Sequence, residues 1–134
     1  MSLVFRMGEF EAIFPTDRLY AKNHMWALEH ADGWRFGFAA YAVRMLQDVY
    51  FLDWEITTGM DVREGMQIGD IESSKAESSL HAPLAGKILR INSALLKDPS
   101  AINVDKYGDG WLFELAADGA ALLEANAYLQ HLTS

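Results

Sequence analysis

The chain has 134 residues, 51% of them hydrophobic, which suffices for one compact core. With 19 acidic against 11 basic side chains the formal charge is -8, so its surface repels phosphate backbones and the anionic face of a membrane, and neither nucleic acid nor lipid is an expected partner. There is no cysteine, which excludes disulfides, thiolate metal sites and a cysteine nucleophile; any thiol chemistry has to be borrowed.

The segment Met1 to Phe14 carries Arg6, Glu9 and Glu11 through its apolar residues. No uninterrupted apolar run reaches membrane-spanning length, so the expected location is cytoplasmic. From His24 to Phe38 the residues Trp26, Leu28, Trp34, Phe36 and Phe38 alternate about Asp32-Gly33, which predicts a half-buried hairpin turning at that dipeptide. Ala39, Ala42, Val43 and Leu46 fall at helical spacing and predict a short internal helix. Val49 to Ile56 returns to bulky β-formers, Tyr50, Phe51, Trp54 and Ile56. Glycines at 59, 65, 69, 86, 108 and 110 then punctuate short runs, and Trp111 to Leu115 reads as the last strand. Asp118 is placed to cap a C-terminal helix over 118–132, in which Leu122, Ala125, Leu129 and Leu132 form an apolar stripe lying back on the body. Many short strands argue for a mainly β sandwich or barrel, and with no linker or low-complexity stretch residues 1–134 read as a single domain.

The informative segment surrounds Lys75. Gly65 and Gly86 flank it almost evenly, Ile68 and Ile71 precede it, Leu80 and Ile88 follow it, and its immediate neighbours are small and polar. Such a pattern presents one lysine at the exposed tip of a hairpin whose arms sink into a core. An ammonium on a long stem there is accessible to a modifying enzyme and, once acylated, swings freely.

The run Ile71-Glu72-Ser73-Ser74-Lys75-Ala76 resembles the lipoylation site of the glycine cleavage system H protein family, which usually reads Val-Glu-Ser-Val-Lys-Ala. Three further motifs follow the family's order: His24 and Trp26 its His-x-Trp, Ala82-Pro83-Leu84-Ala85-Gly86 its Ala-Pro-x-x-Gly, and Asn103, Asp105, Tyr107-Gly108 and Gly110-Trp111-Leu112 its closing segment. The resemblance runs from about Tyr20 to the end. It implies a lipoyl/biotinyl-type barrel-sandwich hybrid with a C-terminal helix, and lipoate in amide linkage to Lys75, with Glu72, Ser73, Ser74 and Ala76 recognised by the modifying enzyme. A biotin carrier, the nearby alternative, expects methionine on both sides of its lysine, where this chain has Ser74 and Ala76.

A lipoyl dithiolane opens by thiol–disulfide exchange and accepts a group or two electrons, so the implied protein is a non-catalytic swinging arm that supplies attachment, reach and partner surfaces. The implied partners are a lipoate ligase or lipoyl transferase, dihydrolipoamide dehydrogenase, and either glycine cleavage enzymes or a heterodisulfide-reductase-like complex. The family shelters its aminomethyl cation with carboxylates, yet its Glu between His and Trp is Met25 here and its Asp four residues after the lysine is Ser79. Glu77 is left to substitute in part. Lys106 stands where the family has proline, and Asp53-Trp54 where it has Leu-Pro or similar. Asn23-His24-Met25-Trp26, Arg35-Phe36-Gly37-Phe38, Tyr41-Ala42-Val43-Arg44 and Gln47 to Trp54 resemble the H-like lipoate-binding proteins of bacterial sulfur oxidation. Their arm would carry sulfur, which needs no carboxylate cage, so sulfur is the expected cargo and the arm is expected to be more mobile than in glycine cleavage relatives.

Other candidates are read structurally. His24, His30, His81 and His131 are scattered without carboxylate–histidine spacing and are expected in core or surface positions. Ser73, Ser74, Ser78 and Ser79 have no base placed beside them by sequence. The aromatic run Tyr50, Phe51 and Trp54 is expected to pack in the core ahead of forming a docking patch. Asp105 and Asp109 lack the acidic ladder of a calcium loop and read as a turn. An unmodified H-like interaction protein is the alternative from another class.

Overall fold

A computed structural model describes residues 1–133. In chain order the strands are β1 (Ser2–Met7), β2 (Phe10–Pro15), β3 (Leu19–Tyr20), β4 (Met25–His30), β5 (Gly33–Phe38), β6 (Val49–Trp54), β7 (Asp61–Val62), β8 (Gln67–Ser73), β9 (Glu77–His81), β10 (Gly86–Ile91) and β11 (Phe113–Ala116). The helices are short: α1 (Ala40–Leu46), α2 (Ala94–Lys97), α3 (Ala101–Val104) and α4 (Ala125–Thr133). Strands β3-β4-β5-β11-β10-β7 form one open sheet and β6-β8-β9 a second, while β1 and β2 pair only with each other.

Between the two larger sheets lies the main core. Met25, Ala27, Phe36 and Phe38 enter it from β4 and β5, and Leu52, Ile68, Ile71 and Leu80 from β6, β8 and β9. Alternation along each strand delivers these side chains to one face, and burying each aliphatic or aromatic one contributes roughly 1.5–3 kcal/mol before chain entropy is counted. The molecule is mainly β with a C-terminal helix, as the sequence predicts.

A second core lies on the other face of β4. Trp26, on that face, joins Phe14, Tyr20, Ala39, Ala125 and Tyr128. Met25, Trp26 and Ala27 are therefore all buried although they alternate. The register explains it: Trp26 lies opposite Gly37, whose missing side chain leaves room for the indole, since a Cβ there would stand 2.5 Å from its ring. Trp26 and Phe36 are thus on opposite faces of one hairpin, where the alternation alone had suggested a half-buried one. Its bend also sits one residue earlier than Asp32-Gly33. His30 pairs with Gly33, so Ala31 and Asp32 form the turn, Ala31 in the left-handed region at φ 50°.

Two termini differ from expectation. Residues 2–15 form the β1–β2 hairpin, bent at Gly8 with φ 65°, where no element was expected. The helix expected over 118–132 begins only at Ala125. Asp118 does cap, but its carboxylate accepts from the amide of Ala120 and closes a single 3-10 turn over Gly119–Ala121. Leu123 then bridges to Tyr20 in extended conformation, and Ala125 and Tyr128 carry the buried face of α4. The last strand likewise starts at Phe113, two residues after the predicted Trp111.

Candidate functional site

Lys75 stands at the bend between β8 and β9, and the bend is built by two serines. Glu72 pairs with Glu77 as the last rung of the ladder. Beyond it the amide of Ser73 donates to the carbonyl of Ala76 at 2.9 Å. Ser73 is 4% exposed, and its hydroxyl accepts from the amides of Lys75 and Ala76 at 3.3 and 3.2 Å and donates to the Ala76 carbonyl at 3.1 Å. Ser74 secures the bend from outside: its amide donates to the Asp48 carbonyl at 2.9 Å, and its hydroxyl accepts from the Asp48 amide at 3.1 Å. Asp48 is fixed in turn, because the Asn103 side chain clamps Gln47 and Val49 on either side of it. Lys75 itself is exposed and forms no ion pair among the described residues.

A cleft of about 220 Å³ opens beside this hairpin. Its floor and far wall are His24, Met25, Phe38, Tyr41, Met45 and Leu46, and its near wall is the β9 edge with Ser78 and Ser79. No carboxylate lines it. His24 sits in the left-handed region at φ 73°, which turns its ring toward the cleft, 4.6 Å from that of Tyr41. The His24 Nδ1 meets the Tyr128 hydroxyl at 2.8 Å. Burial first, and His131 second, hold the His24 imidazole below its ordinary pKa, so at neutral pH it carries no charge. Glu77 does not face this cleft; it lines a separate concavity with Phe51, Asp70 and Glu72.

The remaining candidates fall as follows. Tyr50 is 62% and Phe51 44% exposed, against the expectation of core packing, and only Trp54 of that run packs against the core. The cause is a register shift in β6 between Val49 and Phe51, which turns two successive side chains outward. His30 approaches Glu114 at 3.5 Å, His81 is exposed, and His131 lies on α4. Asp105 closes a turn through the amide of Asp109 at 2.8 Å. What the sequence did not disclose is Glu114, fully buried, whose carboxylate is held by Arg35 and Arg90. Burial would raise its pKa, but hydrogen bonds from Arg90 and Arg35 outweigh that and hold it below the ordinary value.

A lysine that is to be acylated must be reachable and free of a lasting ion pair, and its surroundings must leave room for the acyl chain. Lys75 meets these conditions, with serines and an alanine on either side and a cleft free of carboxylates one strand away. A stiff hairpin offering one such lysine from a β sandwich fits a carrier whose prosthetic group is tethered through an amide. The family model described as "Glycine cleavage H-protein" matches residues 18–133, and the chain belongs to that family. The glycine cleavage system H protein of Thermus thermophilus is 39% identical over 124 residues, covering 90% of this chain and 96% of that one. That of Mycolicibacterium vanbaalenii is 36% identical over 126 residues, covering 88% and 95%. A crystal structure of a glycine cleavage system H protein from Mycobacterium marinum superimposes with a TM-score of 0.77 at 35% identity, over 90% of this chain and all of that one. Glycine cleavage H proteins carry lipoate covalently on a lysine, and lipoate is accordingly the cofactor here.

Proposed function

We propose that Lys75 bears the lipoyl group and that the chain works as a non-catalytic, cytoplasmic swinging-arm carrier between partner enzymes. The supporting observation is the bend itself: an exposed lysine whose backbone is fixed by Ser73 and Ser74 and whose amine has no ion-pair partner among the described residues. Bound lipoate supplies a disulfide–dithiol pair able to take up a group or two electrons. The protein's own residues orient it. Ser73 and Ser74 fix the point of attachment, Glu72 and Ala76 flank it for a lipoate ligase or lipoyl transferase, and the cleft offers a resting place without carboxylates. Ser78 and Ser79 of the cleft wall lie three and four residues along the chain from Lys75, at most about 10–13 Å away.

The lining of the cleft bears on the cargo. A cation leaving water there meets Met25 and Ser79, with no carboxylate to pair it, and the uncharged His24 offers no compensation. That favours sulfur carried for a heterodisulfide-reductase-like complex, with dihydrolipoamide dehydrogenase reoxidising the arm and the arm more mobile than in glycine cleavage relatives. The second reading is aminomethyl transfer in glycine cleavage, and the names of the relatives favour it.

Two measurements decide. Intact mass of the protein from its native host should reveal one lipoyl amide that is absent from Lys75→Ala; an unmodified chain would leave an interaction protein instead. The lipoylated protein is then offered to glycine decarboxylase with glycine. Efficient aminomethyl loading removes the sulfur reading and leaves the carrier reading intact.

A further inference from the structure

The outer face of the β6-β8-β9 sheet combines features that folding does not require. Tyr50 and Phe51 project from it, and around them lie Asp53, Asp70, Glu72 and Glu77. Asp53 is directly opposite Asp70, and Glu72 directly opposite Glu77. Like charges so placed destabilise a sheet. None of these carboxylates forms an ion pair among the described residues, and the nearest relief is Gln67, whose amide reaches Asp70 only at 3.5 Å. A concavity of about 430 Å³ opens between Phe51 and the carboxylates, and no basic side chain lines it.

We propose that this face is the docking surface for the enzyme that acylates Lys75, and that the enzyme meets it with basic side chains around an apolar recess for the Tyr50 and Phe51 rings. The proposal rests on the reading of Lys75 as the attachment site. Charge complementarity selects the partner: exposed rings supply contact area, and unpaired carboxylates beside them steer and orient a basic surface. Distance selects the acylating enzyme over the later ones. The Lys75 amine attacks the acyl carbon of a lipoyl adenylate; the N–C bond forms, the bond to the phosphate oxygen breaks, AMP leaves and the amine's proton goes to solvent. The enzyme must therefore reach Lys75 itself, and Glu72, opposite Phe51, is only three residues from it, at most about 10 Å. Enzymes that act on the far end of the arm are under no such constraint.

The test is the kinetics of lipoylation of the full-length unmodified chain by a purified lipoate–protein ligase with lipoate and ATP, read by intact mass at low and moderate salt. The double variant Tyr50→Ser with Phe51→Ser should raise KM for the protein about tenfold or more, the size of losing one or two aromatic anchors, and leave kcat nearly unchanged. Asp53→Asn with Glu77→Gln should raise KM and flatten its salt dependence while raising Tm, because each substitution removes one member of a like-charged pair. Leu96→Ala, at an exposed position on α2, should change none of these. Wild-type KM and salt dependence in both double variants would overturn the proposal, as would a raised KM accompanied by a lowered Tm in the charge variant. If the wild-type chain is not modified at Lys75 at all, the carrier reading fails and this proposal fails with it.

Discussion

At the scale of single residues, the bend depends on one hydroxyl. Ser73 is buried and satisfies the amides of Lys75 and Ala76, so Ser73→Ala leaves two donors without that acceptor. The expected cost is about 1–2 kcal/mol, read as a lowered Tm, with slower lipoylation of Lys75. Ser73→Thr keeps the hydroxyl and should recover most of both. Lys75 was legible in the sequence because small polar residues interrupt two apolar arms there; the inward orientation of Ser73 was not, since a serine beside a modified lysine reads equally well as a spacer. His24 makes the complementary case. Its folded pKa lies below the ordinary 6.5 of an imidazole, so the unfolded chain binds the proton first. Its contribution is complete above that value and is lost as pH falls through the folded pKa. Urea unfolding between pH 7.5 and 5 should therefore show stability declining toward acid, and His24→Asn, an exchange that tolerates the left-handed backbone, should reduce that slope.

At the scale of elements, the sheets are held by charge as well as apolar burial. Glu114 on β11 faces Arg35 on β5 and Arg90 on β10, tying three adjacent strands. Replacing it by glutamine leaves two partly exposed guanidinium groups without their anion, and the expected loss is about 1–3 kcal/mol at neutral pH. The lowered pKa of Glu114 means that its stabilisation is present above 4.5 and disappears as pH falls through the folded value. Acid titration of stability should accordingly be steeper below about pH 4.5 in the wild type than in Glu114→Gln, and equal slopes would dismiss the role. The sequence reveals little of this. A glutamate between Phe113 and Leu115 looks like the outward member of an alternating strand, and only the cross-strand register brings two arginines to it. Tyr50 and Phe51 escaped for a related reason: hydrophobic type says nothing about a bulge, and the shift in β6 depends on pairing with β8. Helix α1, by contrast, rests on local spacing and matches its expected span to within one residue; the bend at Lys75 was equally legible, but its second arm stops at His81, and Ile88, expected to follow in that arm, lies in β10 of the other sheet.

At the scale of the whole molecule, β4 is a wall shared by two cores. The main core holds the Lys75 hairpin, and the second is closed by β1, β2 and α4, with Phe14 edge-on to the stacked Tyr20 and Tyr128 rings at 5.8 and 5.3 Å. Tyr107 joins them, accepting from the Ala40 amide and donating to the Ile13 carbonyl, and burial pushes its phenol to about 12. Removing residues 1–15 should uncover Trp26, Tyr20 and Tyr128, lower Tm markedly and raise dye binding, yet leave Lys75 a substrate for lipoylation at temperatures where the main core persists. Simultaneous loss of both would mean that the cores fold as one unit. The hairpin was hidden in the sequence because Arg6, Glu9 and Glu11 break the apolar pattern. In space Arg6 and Glu11 are cross-strand neighbours at 3.5 Å on the solvent side, while Ala12 and Phe14 turn inward.

With lipoate on Lys75, as proposed, the paired bonds between Ser74 and Asp48 give the arm a stationary fulcrum. A tether swung from a fixed pivot samples a small volume, so each partner already seated on the protein encounters the arm's far end at an effective concentration of millimolar order. A pivot that wandered would dilute every visit, and transfer would then be limited by search instead of by chemistry.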